Sequence, residues 1–334
     1  MLKARFNFGK MVGKGDLYDR DEEVKKLVKI LSENSSAALG SIKGMGKSSL
    51  AMAATEYITD KTVIWISLEN VYTSLDLVQQ LINGLHGAMR ISGIAEKLDM
   101  LNKVKHDMLT SSFSASSFLD AYFGSYIANA GMPVLVLDEI TRSRRLGRLY
   151  KHFINILYHG VKRGEFQVIM VSSEIGALLE TIKSRQLPFD GLLEFIDLKP
   201  LDEPTSLNFL YEGLEFYGAE CPKRRIYEYY RTTEGIPVWL ALSGARMVEG
   251  LCNSEGIYRD DRAIKYILEQ LVDLSKKEME MLRLVSQKRH MGYAGTHLKR
   301  NLYSLVRRGL VATTPGGYMI PDPIMEHMLK YEIL

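Results

Sequence analysis

Residues 41–50 read SIKGMGKSSL, and within them Gly44, Gly46, Lys47 and Ser48 follow the working end of the spacing G-x-x-x-x-G-K-[ST]. That spacing does chemistry on phosphates, because glycines let the backbone turn so tightly that several N–H groups and a helix N-terminus aim at one anion. Gly44, Met45, Gly46, Lys47, Ser48 and Ser49 would form such a cradle for ATP or ADP, with Lys47 on the β- and γ-phosphates and the Ser48 hydroxyl on Mg2+. The first position of the spacing is a serine, Ser41, with Gly40 one residue early. The alternative reading of the stretch is a turn before a helix, with Ser48 near its cap.

Two carboxylates bear on that choice. Residues 133–140, PVLVLDEI, carry a short apolar run onto Asp138 and Glu139, about 90 residues beyond Ser48. Carboxylates at the carboxyl end of a buried strand are costly unless a metal or ligand needs them there. In a site that hydrolyses a nucleotide, Asp138 would join the Mg2+ shell and Glu139 would accept a proton from the attacking water. The plainer arrangement is a strand end followed by an Asp-capped helix. Residues 167–173, QVIMVSS, form another apolar run, closed by Ser172 and Ser173. Ser173 there would either report on a terminal phosphate and position the water, or simply begin a polar loop.

The elements that must hold these groups follow from periodicity. Residues 35–42 predict a strand into the loop and 48–57 a helix out of it, while 61–68 (KTVIWISL) predicts a strand covered on both faces. Helical segments are expected over 74–109 and 116–130, with the serine-rich 110–117 as a loop between them; residues 192–198 form an alternating strand closed by Lys199-Pro200. Five strands alternating with helices predict a parallel α/β sheet. Ahead of them, residues 18–31 (YDRDEEVKKLVKIL) predict an amphipathic helix burying Val24, Leu27, Val28 and Leu31, and Asp19 and Arg20 open it without a packing reason.

After Pro200 the pattern is helical: 203–217, 224–233 and 238–249, the last two separated by Gly235-Ile236-Pro237. From 263 come helical stretches 263–272 and 276–287, then 295–309, whose apolar stripe of Leu298, Leu302, Leu305 and Val306 opposes Lys299, Arg300, Arg307 and Arg308. Residues 311–320 fold about Pro315-Gly316-Gly317 as a hairpin. Residues 275–310 hold nine Lys and Arg against two Glu, among them Lys288 and Arg289. Helices, a basic helix and a wing predict a winged helix-turn-helix. Its partner is duplex DNA, met by the basic residues, or a protein surface, including this chain's own.

Composition sets the outer bounds. The chain has 334 residues, 46% hydrophobic and 25% charged, with a formal net charge of +3, so only the local clustering of charge argues for nucleic acid. Cys221 and Cys252 lie far apart without metal-ligand spacing, which argues for a reduced compartment and against a disulfide. No signal-like segment opens the chain and no run approaches membrane-spanning length, so a cytoplasmic protein without a membrane partner is expected.

Together these parts resemble the archaeal ATPases of the AAA+/STAND group of P-loop NTPases, relatives of the origin-recognition initiators. The resemblance rests on YDRDEEV at 18–24, SIKGMGKSSL, VLVLDEI, Ser172-Ser173, Leu198 with Pro200 and Leu201, Gly235 with Pro237, and Tyr318, Ile320, Asp322 and Pro323. It implies an AAA+ core over residues 1–199, a helical lid over 200–262 and a winged helix over 263–334. It further implies that Asp19 and Arg20 lie near the adenine and that Pro237 contacts the nucleotide. Many relatives carry an arginine in P-L-Y-G-R, where this chain reads Pro188-Phe189-Asp190-Gly191-Leu192; Arg185, Arg142, Arg144, Arg145 and Arg148 are the candidate substitutes. The expected function is an ATP-binding, ATP-hydrolysing switch, and the alternative is a non-hydrolysing module that holds nucleotide and binds DNA or protein.

Overall fold

A computed structural model describes residues 5–92, 114–127, 131–287 and 296–334. Five parallel strands, β1 (Ser36–Gly40), β2 (Val63–Ser67), β3 (Val134–Asp138), β4 (Gln167–Ser172) and β5 (Leu193–Asp197), form one sheet in the order β2-β3-β4-β1-β5. All five point the same way, so the residues that follow β1, β3 and β4 share one edge. Pairing brings Ser67 level with Asp138 and Gly40 level with Ser172.

Residue alternation along the central strands sorts the core into two faces. Ala37, Leu39, Val134, Val136, Ile169 and Val171 pack under helices α1 (Asp21–Ser32) and α2 (Lys47–Thr55). Ala38, Leu135, Leu137, Val168 and Met170 pack under α3 (Ser74–Ser92) and, beyond α4 (Ala115–Ala121), under α5 (Arg148–Arg163). Burying each of these Val, Leu, Ile and Met side chains is worth about 1.5–3 kcal/mol, so the doubly covered strands β1, β3 and β4 hold the sheet edge rigid. α6 (Ile175–Ile182) connects β4 to β5.

Helices follow the sheet. α7 (Glu203–Tyr217), α8 (Lys223–Thr233) and α9 (Pro237–Val248) enclose a third apolar cluster, into which Phe6 inserts against Gly213 and Gly244. α10 (Asp261–Leu271), α11 (Lys276–Ser286) and α12 (Thr296–Arg307) lead to a hairpin of β6 (Ala312–Thr314) and β7 (Gly317–Met319), and α13 (Pro323–Lys330) closes the chain. Residues of α10 to α13 share one apolar cluster with α1, α2 and α9, so these helices are seated on the core. Asp322 caps α13 through the N–H groups of Ile324 and Met325, and its buried carboxylate also accepts the indole N–H of Trp239 on α9 at 3.0 Å.

Several expectations are corrected. β2 lies at a sheet edge, so its outward Val63 and Trp65 are only half-buried instead of covered on both faces. Cys221 and Cys252 are paired as a disulfide, their Cα atoms 6.0 Å apart. Antiparallel α8 and α9 bring the start of one beside the end of the other, and Tyr229 ties them by donating to Leu251 O. Ser114 caps α4, whose first residues come from the serine-rich stretch taken as a loop; α4 passes into a π-helix at Tyr122–Ile127. Residues 93–113, 128–130 and 288–295, with parts of the expected helices and with Lys288 and Arg289, lie outside the described residues. None of the described helices is long and apolar enough to cross a membrane.

Gly235 is more than helix punctuation. Its φ is +75°, and a Cβ there would sit 2.0 Å from the carbonyl oxygen of Leu201. Left-handed geometry and the clash add, so Gly235→Ala is expected to destabilise the protein by about 2–4 kcal/mol. A lowered unfolding midpoint in thermal or urea melts checks this, and an unchanged midpoint contradicts it.

Candidate functional site

The loop between β1 and α2 meets the requirements of a phosphate cradle. Positive φ falls on Gly44 (+91°) and Gly46 (+85°), where a side chain would strain the turn, and Gly46 is the N-cap of α2. Ser41 needs no such freedom, having no positive φ, and is accepted in the glycine's place. Gly40 belongs to β1, where Phe195 leaves no room for a Cβ. Ser48 is inside α2 and so is not its cap. Lys47 is buried, and its ammonium donates to the loop's own carbonyls, Ser41 O at 3.0 Å and Ile42 O at 2.8 Å. Burial pulls Lys47 down to about 8, against the attraction of Glu139 and Asp138.

Asp138 and Glu139 divide their roles. Ser48 donates its hydroxyl to Asp138 Oδ1 at 2.9 Å, joining two hard oxygen donors across 90 residues of sequence. Burial, then the neighbouring Glu139, push the Asp138 carboxyl up to about 6. Glu139 stands in the left-handed region (φ 54°, ψ 44°) at the head of a 3-10 turn, Ile140–Leu146, and caps nothing with its side chain. Instead its carboxylate accepts the Ser173 N–H at 3.0 Å and the Ser173 hydroxyl at 2.9 Å. Neither acid serves as the helix cap of the plainer reading.

A cavity of about 480 Å³ opens over this edge. Its lining combines Gly44, Gly46, Lys47, Ser48, Asp138 and Glu139 with the apolar Met11, Val12, Leu17, Tyr18, Leu201 and Phe209, and the rings of Tyr18 and Phe209 meet edge-on 5.1 Å apart. Met45 and Ser49 line it as well, although Ser49 Oγ also accepts the N–H of Val12 at 3.1 Å. Pro237 lines it at the start of α9, and the next residue, Val238, donates its N–H to Gly44 O at 3.1 Å. Arg20 lines it too, but its guanidinium is spent on Glu23 and on Lys199 O at 2.6 Å. Asp19 and Ser173 are not among the lining residues. Arg142 and Arg145 pair with Asp273, Arg144 pairs with Glu180, and neither these nor Arg148 or Arg185 line the cavity. Gly9, Lys10, Met11, Val12, Asp16, Leu17, Glu69 and Tyr266 are cavity residues that no motif marked, and their residue types carry no signal of that place.

This geometry can be set beside known proteins. A family model of an ATPase domain predominantly from Archaea matches residues 17–242. The chain belongs to this family. In overall structure it is similar to the Walker-type ATPase PabY2304 of Pyrococcus abyssi, with 21% identity, TM-score 0.76, and 99% of this chain and 100% of that one covered. It is also similar to the ORC2 protein of Aeropyrum pernix in ADPNP–ADP complexes, with 15% identity, TM-score 0.59 and 98% of each chain covered. At these identities the likeness speaks for the fold. Among curated proteins none matches.

Within this ATPase-family chain, the polar residues of the cavity fit a magnesium ion. Mg2+ takes one or two protein oxygens plus phosphates and water, which Ser48 and Asp138 would supply without a larger acidic cluster. Among the described residues no group of three or more metal-ligating side chains occurs elsewhere. Because the folded-state pKa of Asp138 is raised, its ionisation works against folding: that cost is absent below about pH 4 and fully present above about 6. Asp138→Asn is therefore expected to stabilise the nucleotide-free protein at pH 7.5 by on the order of 2–3 kcal/mol, with no gain at pH 4. Melting curves of both proteins across that range check the sign.

Proposed function

We propose that this chain is an ATP-hydrolysing switch of the AAA+/STAND type, with a nucleotide core over residues 1–199, a lid over 200–262 and a winged helix over 263–334. The observation that carries it is the convergence of Lys47, Ser48, Asp138 and Glu139 on one cavity that is also lined by Leu17, Tyr18, Leu201 and Phe209. ATP would lie with its base among Leu17, Tyr18, Leu201 and Phe209 and its phosphates in the loop. Bound Mg2+ would neutralise phosphate charge and orient the γ-phosphoryl group. Lys47 would exchange the carbonyls of Ser41 and Ile42 for phosphate oxygens. Glu139 would leave Ser173 and take a proton from the water that attacks the γ-phosphorus as ADP departs.

Lys47→Ala is expected to abolish nucleotide binding, and Glu139→Gln to keep binding while losing turnover by about 10²-fold or more. Multiple-turnover phosphate release checks both; equal turnover in Glu139→Gln assigns the base elsewhere. The second reading, a nucleotide-holding module without turnover, is favoured by the three hydrogen bonds that keep Glu139 on Ser173. It wins if purified wild-type protein binds ATP and releases no phosphate.

Duplex DNA remains the partner suggested by the charge of α12, with a protein surface as its rival. Lys299 and Arg300 are exposed, whereas Arg307 bonds Glu180 and Arg308 donates to Asp273 O. Two phosphate contacts in this conformation would give a log–log salt slope near −2, and four would give about −4 once the helix is released. Duplex titrations over salt, with and without ATP, read that slope; no binding at low salt rules DNA out.

A further inference from the structure

Tyr266 is a hydroxyl delivered to the phosphate loop by a helix outside the sheet. It stands on α10, yet its hydroxyl reaches within 3.2 Å of where a Cβ on Gly44 would be, against the bend of the phosphate loop. Its ring is fixed from two sides, edge-on to Trp239 with centroids 5.2 Å apart and tilted against Phe8 at 5.7 Å. The Lys43 ammonium lies 5.4 Å from the ring centroid and bonds Glu69. Among the described residues nothing accepts or donates a hydrogen bond at the Tyr266 hydroxyl, and the residue lines the cavity beside Gly44, Lys47 and Glu139. A rigidly held hydroxyl that makes no bond within the protein is free to donate to a ligand in the cavity.

We propose that Tyr266 donates its phenolic hydrogen to the terminal phosphate of a bound nucleoside triphosphate, so that α10 and the helices after it distinguish triphosphate from diphosphate. The inference rests on the nucleotide reading above. The terminal phosphate is the partner because Tyr266 stands against Gly44 of the phosphate loop and near enough to Glu139 to feel its charge, whereas the nucleobase is assigned to Leu17, Tyr18, Leu201 and Phe209. The phenol stays protonated as a donor: burial, then the charges of Asp322, Glu139 and Glu69, raise its pKa well above the ordinary value. Tyr266 also has a route outward, since Trp239, on which its ring rests, donates to Asp322 at the start of α13. A diphosphate would leave the hydroxyl unpaired, so the coupling acts through the third phosphate alone.

The test is Tyr266→Phe in the full chain, which removes the hydroxyl and keeps the ring. Affinities for ADP and for a non-hydrolysable ATP analogue are measured with Mg2+ by calorimetry for both proteins. A bond to a charged phosphate is worth tenfold or more, so analogue affinity is expected to fall about tenfold while ADP affinity holds within about twofold. An unchanged ratio of the two affinities overturns the proposal, as does an equal loss for both nucleotides, which would mark a packing role. Wild-type protein that binds neither nucleotide overturns the nucleotide reading itself and this inference with it. Matching melting curves confirm that Tyr266→Phe is folded.

Discussion

Lys47 is a buried ammonium met by the carbonyls of Ser41 and Ile42 and by the charges of Glu139 and Asp138, and the rest of the site is arranged around it. Its bonds to Ser41 O and Ile42 O draw the loop onto its own lysine, and burial still lowers its pKa to about 8. A few ångströms of structure away, Asp138 suffers the opposite displacement, up to about 6. A cation and an anion, each disfavoured by the same low dielectric, are kept together by strands buried on both faces. On the proposed reading, a phosphate chain with its metal would compensate both charges at once, so binding energy would be stored in groups whose folding cost the sheet already bears.

From that site two lines lead to the C-terminal helices. One begins at Glu139 and Ser173. Ser173 O would lie 2.7 Å from a Cβ on Gly309, and a Cβ on Gly176 would meet the Cα of Arg307 at 2.7 Å. Backbone rests on backbone there, with no side chain to absorb a shift, so a displacement of the turn after β4 is passed to the end of α12. The second line runs through Tyr266, Trp239 and Asp322 to the start of α13. On the proposed reading, the first line would carry the state of Glu139 and the second the occupancy beside Gly44.

How much of this could be read without a structure depends on range. The five strands, the loop and the acidic pair are legible because buried parallel strands read as short apolar runs and the chemistry sits at their ends. Asp322 and Pro323 are visible as an ending, but not as a cap whose carboxylate reaches Trp239 across 83 residues. Nothing in Met11, Val12 or Tyr266 marks them as cavity residues, since each is placed by packing between distant segments. The pairing of Cys221 with Cys252 is hidden for the same reason, because only the antiparallel run of α8 and α9 brings the two ends together. Arg142, Arg144 and Arg145 show the reverse failure: clustering near the acidic pair suggests phosphate partners, while tertiary neighbours Asp273 and Glu180 claim them first.

The basic face of α12 poses a question of magnitude. Glu180 gathers the Tyr303 hydroxyl at 2.6 Å, Arg307 Nε at 2.9 Å and Arg144 at 3.0 Å, which docks α12 on α6. Arg144, Arg307 and Glu180 are 28%, 31% and 34% exposed, so each ion pair in the group is worth only about 0–1 kcal/mol. The apolar seat beneath, with Leu302, Leu305 and Leu310 in the main cluster, contributes more. Charge therefore sets the register of α12 on the core, and hydrophobic burial sets its strength. An agent that competes only for charge, drawing Arg307 and Arg308 from their partners as a polyanion would, does not by itself lift the helix. Release needs a change in the packing beneath it, and the contacts that can supply one are those running from the nucleotide cavity.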